Sequence, residues 1–120
     1  WKRGWVVDVS NNGVIRFEAS HGSEGGIGQF SSKPGTIENG QWQHVVVVVQ
    51  RSELEAASRI YVDGKIVSTG VIRPGDISNP SFDLYFGRCD QFTFSGQIDD
   101  VWLYRGALGE PEIRRLANSR

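Results

Sequence analysis

The chain has 120 residues, a formal net charge of −1 at pH 7 and no methionine. This length suits one hydrophobic core and is too short for two comfortable domains. The 13 basic and 14 acidic residues are spread along the chain, so no basic patch favours nucleic acid as a partner. The longest apolar run, residues 45–49, is far below the ~20 residues of a membrane-spanning helix. A single cysteine, Cys89, excludes an internal disulfide. Because the chain has no methionine, we expect that it has been trimmed or was cut from a longer polypeptide.

The first part of the chain is typical of short strands separated by turns. Residues 5–9 and 14–19 are rich in β-formers and flank Asn11-Asn12-Gly13. Because these turn residues tolerate positive φ, we predict a hairpin. A weaker strand over residues 27–31 is expected to end at Lys33-Pro34-Gly35.

The strongest predicted strand is the valine-rich segment 42–50. Its apolar residues fall on both faces, which predicts a central strand that is covered on both sides. A second hairpin is expected over residues 58–69, since Asp63-Gly64 is a strong type I′ turn signal. Residues 82–87 and 94–105 are predicted as further strands, the second of them the long final strand.

Only the last dozen residues are predicted to be helical. Residues 112–117 are good helix formers, and Pro111 lies in the first turn, where its missing N–H costs nothing. With Gly109 as the N-cap, Leu108 and Ile113 are spaced for a hydrophobic staple. Seven or eight strands and this helix predict an all-β fold, a two-layer antiparallel β-sandwich with a short C-terminal helix.

Three stretches, in matching order and spacing, carry a resemblance to a known family. They are residues 40–45 (GQWQHV), residues 60–64 (IYVDG) and residues 94–113 (FSGQIDDVWLYRGALGEPEI). Together they resemble the opening of a central strand, the hairpin turn and the closing signature of laminin G-like domains, which are jelly rolls of the concanavalin A-like kind. The resemblance implies one jelly-roll domain over residues 1–120.

The resemblance also implies a setting and a set of partners. Members of this family belong to secreted or surface-exposed proteins, many bind glycans or other proteins, and some bind calcium. An extracellular or cell-surface location is therefore expected. The family opens with further strands before the region that residues 5–19 match. The chain is thus expected either to form a smaller sandwich or to leave a sheet edge open, covered by a longer chain or by another copy in a homo-oligomer.

No catalytic arrangement is apparent, and we predict that the chain is not an enzyme. Glucanases of this fold carry E-x-D-x-x-E on one strand, which places two carboxyls at the ~5 Å or ~6.5–9.5 Å that glycoside hydrolysis needs. That spacing does not occur here. Asp99 and Asp100 are neighbours on a predicted strand, so their side chains are expected on opposite faces. Neither His21 nor His44 has a nucleophile motif or zinc spacing around it.

Calcium is the metal that the resemblance implies, with Asp99 and Asp100 as ligands. The alternative is that one carboxylate accepts hydrogen bonds from backbone groups of a nearby turn while the other faces solvent. Two carboxylates alone rarely complete a shell of about 6–8 oxygen ligands.

Sugar binding needs an exposed aromatic ring with polar groups nearby. Candidate aromatic platforms are Trp1, Trp5, Phe92 and Trp102. Trp42 is expected to pack in the core instead. Candidate polar partners between the last two predicted strands are Arg88, Asp90 and Gln91.

The sequence therefore predicts a non-catalytic recognition module whose ligand is a glycan or a surface protein. The alternative is an architectural domain that spaces out a larger secreted protein or enzyme, and a small oligomeric sandwich is a third explanation. Exposed aromatic side chains on a concave face or loop rim favour binding, whereas a flat polar surface favours architecture.

Overall fold

Antiparallel strands dominate the computed structural model, which describes residues 3–22, 26–89 and 91–119. The elements are β1 (Arg3–Val9), β2 (Ile15–His21), β3 (Gly26–Ser31), β4 (Val45–Val48), β5 (Ser58–Val62), β6 (Lys65–Gly70), β7 (Arg88–Cys89), β8 (Phe92–Thr93) and α1 (Glu110–Asn118). The all-β antiparallel class with a short C-terminal helix is confirmed. Within the described ranges, no helix is long and apolar enough to cross a membrane.

The first sheet has the order β1-β2-β3 and contains the predicted hairpin. Val9 pairs with Ile15 at the end of the ladder, and the Gly13 N–H donates to the Ser10 carbonyl at 3.0 Å within the turn. In β2, alternate residues starting at Ile15 are buried. One face of this sheet therefore supplies apolar side chains to the core.

The second sheet has the order β4-β5-β6 and contains the second predicted hairpin. Asp63 and Gly64 have φ of +51° and +80°, as a type I′ turn requires. The central strand is β5, and its alternate residues pack into two different hydrophobic clusters, one on each face of the sheet. Ile60 and Val62 belong to the core shared with the first sheet, while Tyr61 belongs to a cluster beneath the helix.

The core lies between the two sheets. Its buried members are Ile15, Phe17, Ala19, Ile27, Phe30, Ile60, Val62 and Ile72. The sheets come closest where β3 meets β6, and a Cβ on Gly70 would lie 2.3 Å from the Cβ of Phe30. Only a residue without a side chain fits there, so Gly70 sets the spacing of the sandwich at this point.

The predicted helix packs on the outer face of β5. Gly109 is its N-cap, with extended φ and ψ, and Pro111 lies in its first turn. Ile113 is 0% exposed and shares a cluster with Tyr61, against which Leu108 also packs. Leu108 and Ile113 thus contribute to the same apolar cluster, and the staple contact between them stays a prediction.

The valine-rich strand is shorter than predicted, and its predicted central position is wrong. Among the residues that the structure describes, β4 pairs only with β5, which places it at the edge of its sheet. Apolar contacts on both faces are confirmed, because Val47 packs against the inter-sheet core and Val48 lies in the cluster beneath α1. A helix on one face and a sheet on the other produce the same apolar pattern as a central position does.

The predicted strands over residues 82–87 and 94–105 are also wrong. The first segment is irregular up to Gly87, and the second has no strand after Thr93. Every residue from 91 to 107 is exposed. A strand exists only through its ladder of hydrogen bonds, and within the described chain no strand pairs with residues 94–105.

Candidate functional site

Two loops of the sandwich are joined edge to edge by backbone hydrogen bonds. The Gly35 N–H donates to the Asn12 carbonyl at 2.8 Å, and the Ile37 N–H donates to the Gly13 carbonyl at 2.9 Å. Gly13 has φ of +80°, and a Cβ there would lie 2.4 Å from the Ile37 carbonyl oxygen. The close approach therefore requires glycine, and it places the β1–β2 turn beside the loop that follows β3.

The Gln43 side chain closes the loop from Thr36 to Trp42. Its Oε1 accepts from the Glu38 N–H at 2.8 Å, and its Nε2 donates to the Thr36 carbonyl at 3.0 Å. Gly40, with φ of +77°, supplies the reversal inside the loop. The adjacent Trp42 is 56% exposed, so its ring is presented to solvent from a loop held at both ends.

The opposite wall is formed by the segment that follows β8. The Phe94 N–H donates to the Gly87 carbonyl at 2.8 Å, which extends the β7–β8 hairpin by one hydrogen bond. The Phe94 ring lies against Gly96, where a Cβ would be 2.9 Å from ring atom Cε1. Gly96 thus leaves room for the aromatic ring at the rim.

Between these walls lies an open groove of about 730 Å³, here called the Trp42 groove. Its lining residues are Val9, Ser10, Asn11, Ile37, Glu38, Asn39, Gly40, Gln41, Trp42, Thr93, Phe94, Ser95, Gly96 and Gln97. The lining includes hydroxyl and amide side chains, two aromatic rings, two aliphatic side chains and the carboxylate of Glu38. The amides both donate and accept hydrogen bonds, while the rings offer flat apolar surface.

A second groove, of about 700 Å³, adjoins the first on the outer face of β1 and β2. Its floor carries an ion pair in which Arg16 donates to Asp8 through Nη2 at 2.6 Å and through Nε at 3.1 Å. The hydrogen bond to Asp8 raises the pKa of Arg16. The ion pair with Asp8 links β2 to β1. Because Asp8 and the nearby Glu18 neutralise the guanidinium, little positive charge remains for a ligand.

The prediction that Trp42 packs in the core is wrong. The strand it was expected to open begins only at Val45, and Trp42 lies in the preceding loop. The sequence argument did not predict the residues that line the Trp42 groove as binding residues. It named Asn11 only as a turn residue, and residues 40–42 and 94–97 as parts of the family motifs. Asn11 and Asn39 each lie in a turn signal, but nothing in the sequence shows that the two turns meet.

Of the predicted ligand-binding residues, Arg88 and Phe92 lie on the paired strands of the β7–β8 hairpin, while Trp5 and Trp102 lie outside that hairpin. Phe92 is exposed and lines the second groove. The Arg88 guanidinium lies 4.4 Å from the centroid of the Tyr85 ring, as a cation–π pair. Trp102 is 73% exposed and lines neither groove, and Trp5 stacks on Phe17. Asp90 and Trp1 lie outside the described residues.

Asp99 and Asp100 do not occupy opposite faces of a strand, because no strand forms there. Asp100 has φ of +52°, and its N–H donates to Asp99 Oδ1 at 2.8 Å. Both residues are exposed, and in the described part of the chain no third acidic, histidine or cysteine side chain joins them in a metal-binding group. The pair thus lacks the further side-chain ligands that a calcium shell would use, and calcium here stays a prediction.

The geometry can be compared with known proteins. A search of curated proteins found no match. Among solved structures, a fragment (residues 221–444) of an S-layer domain-containing protein from Clostridium thermocellum matches with a TM-score of 0.54 and 20% identity. The match covers 98% of this chain and 58% of that one, so this chain spans little more than half of the crystallised fragment. At this identity the likeness shows the fold alone.

A family model described as "Concanavalin A-like lectin/glucanases superfamily", of the laminin G type, matches residues 2–114. That range includes both sheets, the Trp42 groove and the first part of α1. The resemblance inferred from the three motifs is thereby confirmed. The chain belongs to the laminin G-like family of β-sandwich jelly rolls in the concanavalin A-like lectin/glucanase superfamily.

Proposed function

We propose that the chain is a non-catalytic recognition module that binds a glycan in the Trp42 groove. The observation that carries the proposal is the exposed indole of Trp42 on a braced loop, within a groove whose lining includes four amide and three hydroxyl side chains. Large aromatic side chains in a small sandwich are normally core residues. An exposed one beside hydrogen-bonding groups favours a binding role.

The chemistry of the groove suits a sugar. A sugar ring has an apolar face of C–H groups and an edge of hydroxyls, each of which both donates and accepts hydrogen bonds. Asn11, Asn39, Gln41 and Gln97 offer both functions, and the Trp42 and Phe94 rings offer apolar surface. A volume of about 730 Å³ lies within the usual range of small-ligand sites.

The family and the structural likeness support a surface setting for this binding. The family description includes lectins, and the matched structure comes from an S-layer domain-containing protein. We therefore propose an extracellular or cell-surface protein with a glycan ligand.

The test is an oligosaccharide array, followed by calorimetric titration of Trp42→Ala against the wild type. We expect at least ~10-fold weaker binding, since loss of a central aromatic contact at an interface commonly costs ≥ ~2 kcal/mol. The matched control is Trp102→Ala, which removes an indole that is 73% exposed, against 56% for Trp42, and that lies outside the groove. It should leave binding unchanged. Both variants should lose less than about 1 kcal/mol of unfolding free energy, because exposed side chains contribute little to the core.

Two results would contradict the proposal. One is wild-type affinity in Trp42→Ala. The other is a folded wild-type protein that binds nothing on an array of neutral and acidic glycans.

A second candidate function, docking onto another protein or domain, rests on a different observation. Eleven large hydrophobic side chains are exposed among the described residues between 82 and 104: Phe82, Leu84, Tyr85, Phe86, Phe92, Phe94, Ile98, Val101, Trp102, Leu103 and Tyr104. So many exposed large hydrophobic side chains in one segment are unusual for a protein surface that meets only water. Their exposure favours the architectural role that the sequence left open.

A further inference from the structure

The lining of the Trp42 groove is almost uncharged. Among the described residues that form it, Glu38 carries the only ionisable side chain, and it is exposed. The other polar groups are the hydroxyls and amides named above. Among the described lining residues, a ligand in this groove therefore meets one negative charge and no cationic side chain.

Three arginine side chains of the sandwich make their hydrogen bonds to residues outside the groove. Arg16 is bound by Asp8, and Arg51 donates to the carbonyls of Arg73 and Gly75 at 2.9 and 3.1 Å. Arg59 donates to the Tyr61 hydroxyl at 2.9 Å. These contacts connect parts of the fold, and none of the three arginines lines the groove, although guanidinium is the group best suited to sulfate and carboxylate.

From this arrangement we infer that the Trp42 groove takes an uncharged oligosaccharide and discriminates against glycans bearing carboxylate or sulfate groups. The inference rests on the proposed function and names its ligand class. A sulfate or uronate entering the groove would lose hydration without gaining an opposite charge, and it would approach Glu38. A neutral sugar loses only hydroxyl–water hydrogen bonds, which the amides replace.

The experiment reverses the charge at Glu38. Glu38→Lys is titrated with neutral xylan and β-1,4-glucan oligosaccharides, and with oligogalacturonate and heparin oligosaccharides as acidic probes. The wild type should bind a neutral probe with little dependence on salt and bind the acidic probes at least ~5-fold more weakly. Glu38→Lys should bind the acidic probes at least ~5-fold more tightly than the wild type does, with a gain that salt diminishes.

The matched control is Glu53→Lys, which makes the same charge change at an exposed position outside the groove. It should leave the affinity for acidic probes at the wild-type value. If Glu38→Lys fails to fold, Glu38→Gln serves in its place and should narrow the difference between neutral and acidic probes.

Two failures can be told apart. Tight wild-type binding of an acidic probe, abolished by Trp42→Ala, would overturn this inference and leave the groove as the glycan site. An equal gain in Glu38→Lys and Glu53→Lys would also overturn it, because the effect would then come from net charge. Binding of no probe by folded wild-type protein would overturn the proposed function itself.

Discussion

At the scale of single residues, Gly13 and Gly35 form a natural comparison. Both have φ of +80°, and both lie where the β1–β2 turn meets the loop after β3. A Cβ on Gly13 would collide with the Ile37 carbonyl, whereas nothing lies within 4 Å of a Cβ on Gly35. The two glycines therefore share a positive φ, but only Gly13 also lies in crowded surroundings.

This difference leads to a prediction about alanine at each position. Gly35→Ala should cost about 1–2 kcal/mol of unfolding free energy, the strain of a left-handed residue with a Cβ. Gly13→Ala should cost about 1–3 kcal/mol more, because the Ile37 carbonyl must also move. Urea denaturation measures both. Equal losses would show that the two loops do not approach as closely as described.

Gly13→Ala should also weaken glycan binding, because moving Ile37 shifts one wall of the Trp42 groove. Gly35 lies outside the groove lining, so Gly35→Ala serves as the control for binding as well as for stability.

At the scale of secondary-structure elements, α1 depends on its contact with the second sheet. It has nine residues, fewer than an isolated helix needs to be stable in water. Its buried residue is Ile113, which lies in one cluster with Val48 and Tyr61. The surface ion pairs, such as Arg114 with Glu110 at 4.0 Å, add little.

Truncation of Ile113 should therefore detach the helix. We expect Ile113→Ala to cost about 2–5 kcal/mol of unfolding free energy, from lost apolar burial and the cavity that remains. Ile66→Ala removes the same atoms at a position that is 47% exposed, and it should cost less than about 1 kcal/mol. Helix-sensitive circular dichroism during denaturation measures both. Similar losses would contradict the packing of α1 described here.

At the scale of the whole molecule, the buried and exposed apolar residues divide along the chain. The buried core residues come mainly from the sequence range 15–72, and Ile113 is the further member of the cluster beneath α1. The segment over residues 82–104 adds large hydrophobic side chains to the surface. A protein of this kind is expected to associate through that segment.

Association can be measured by sedimentation velocity over a range of concentrations. The wild type should show a weight-average mass that rises with concentration. Trp102→Lys should reduce that rise, because it places a charge among the exposed hydrophobic side chains of residues 82–104. Leu54→Lys is the matched control, since Leu54 is 89% exposed but lies in the loop before β5. A wild type that stays monomeric throughout would remove the support for the docking function.

The scales differ in what could be predicted from the sequence. The two hairpins and the helix were predictable because their signals are local: Asn-Asn-Gly, Asp63-Gly64 and the Gly109 cap each act within a few residues. The strands over residues 82–87 and 94–105 were mispredicted because alternation shows only that a segment suits a strand. Whether it becomes one depends on a partner ladder that local sequence does not specify.

By itself, the sequence determined the antiparallel β-fold, the hairpin turns, the capped helix and, through three ordered motifs, the family. These depend on backbone preferences and on short-range patterns of apolar residues. Only the tertiary structure decided the exposure of Trp42, the edge position of β4 and the meeting of Asn11, Asn39 and Gln97 around one groove. Those features arise where loops distant in sequence come together, and the hydrogen bonds that join them link residues that no local pattern relates.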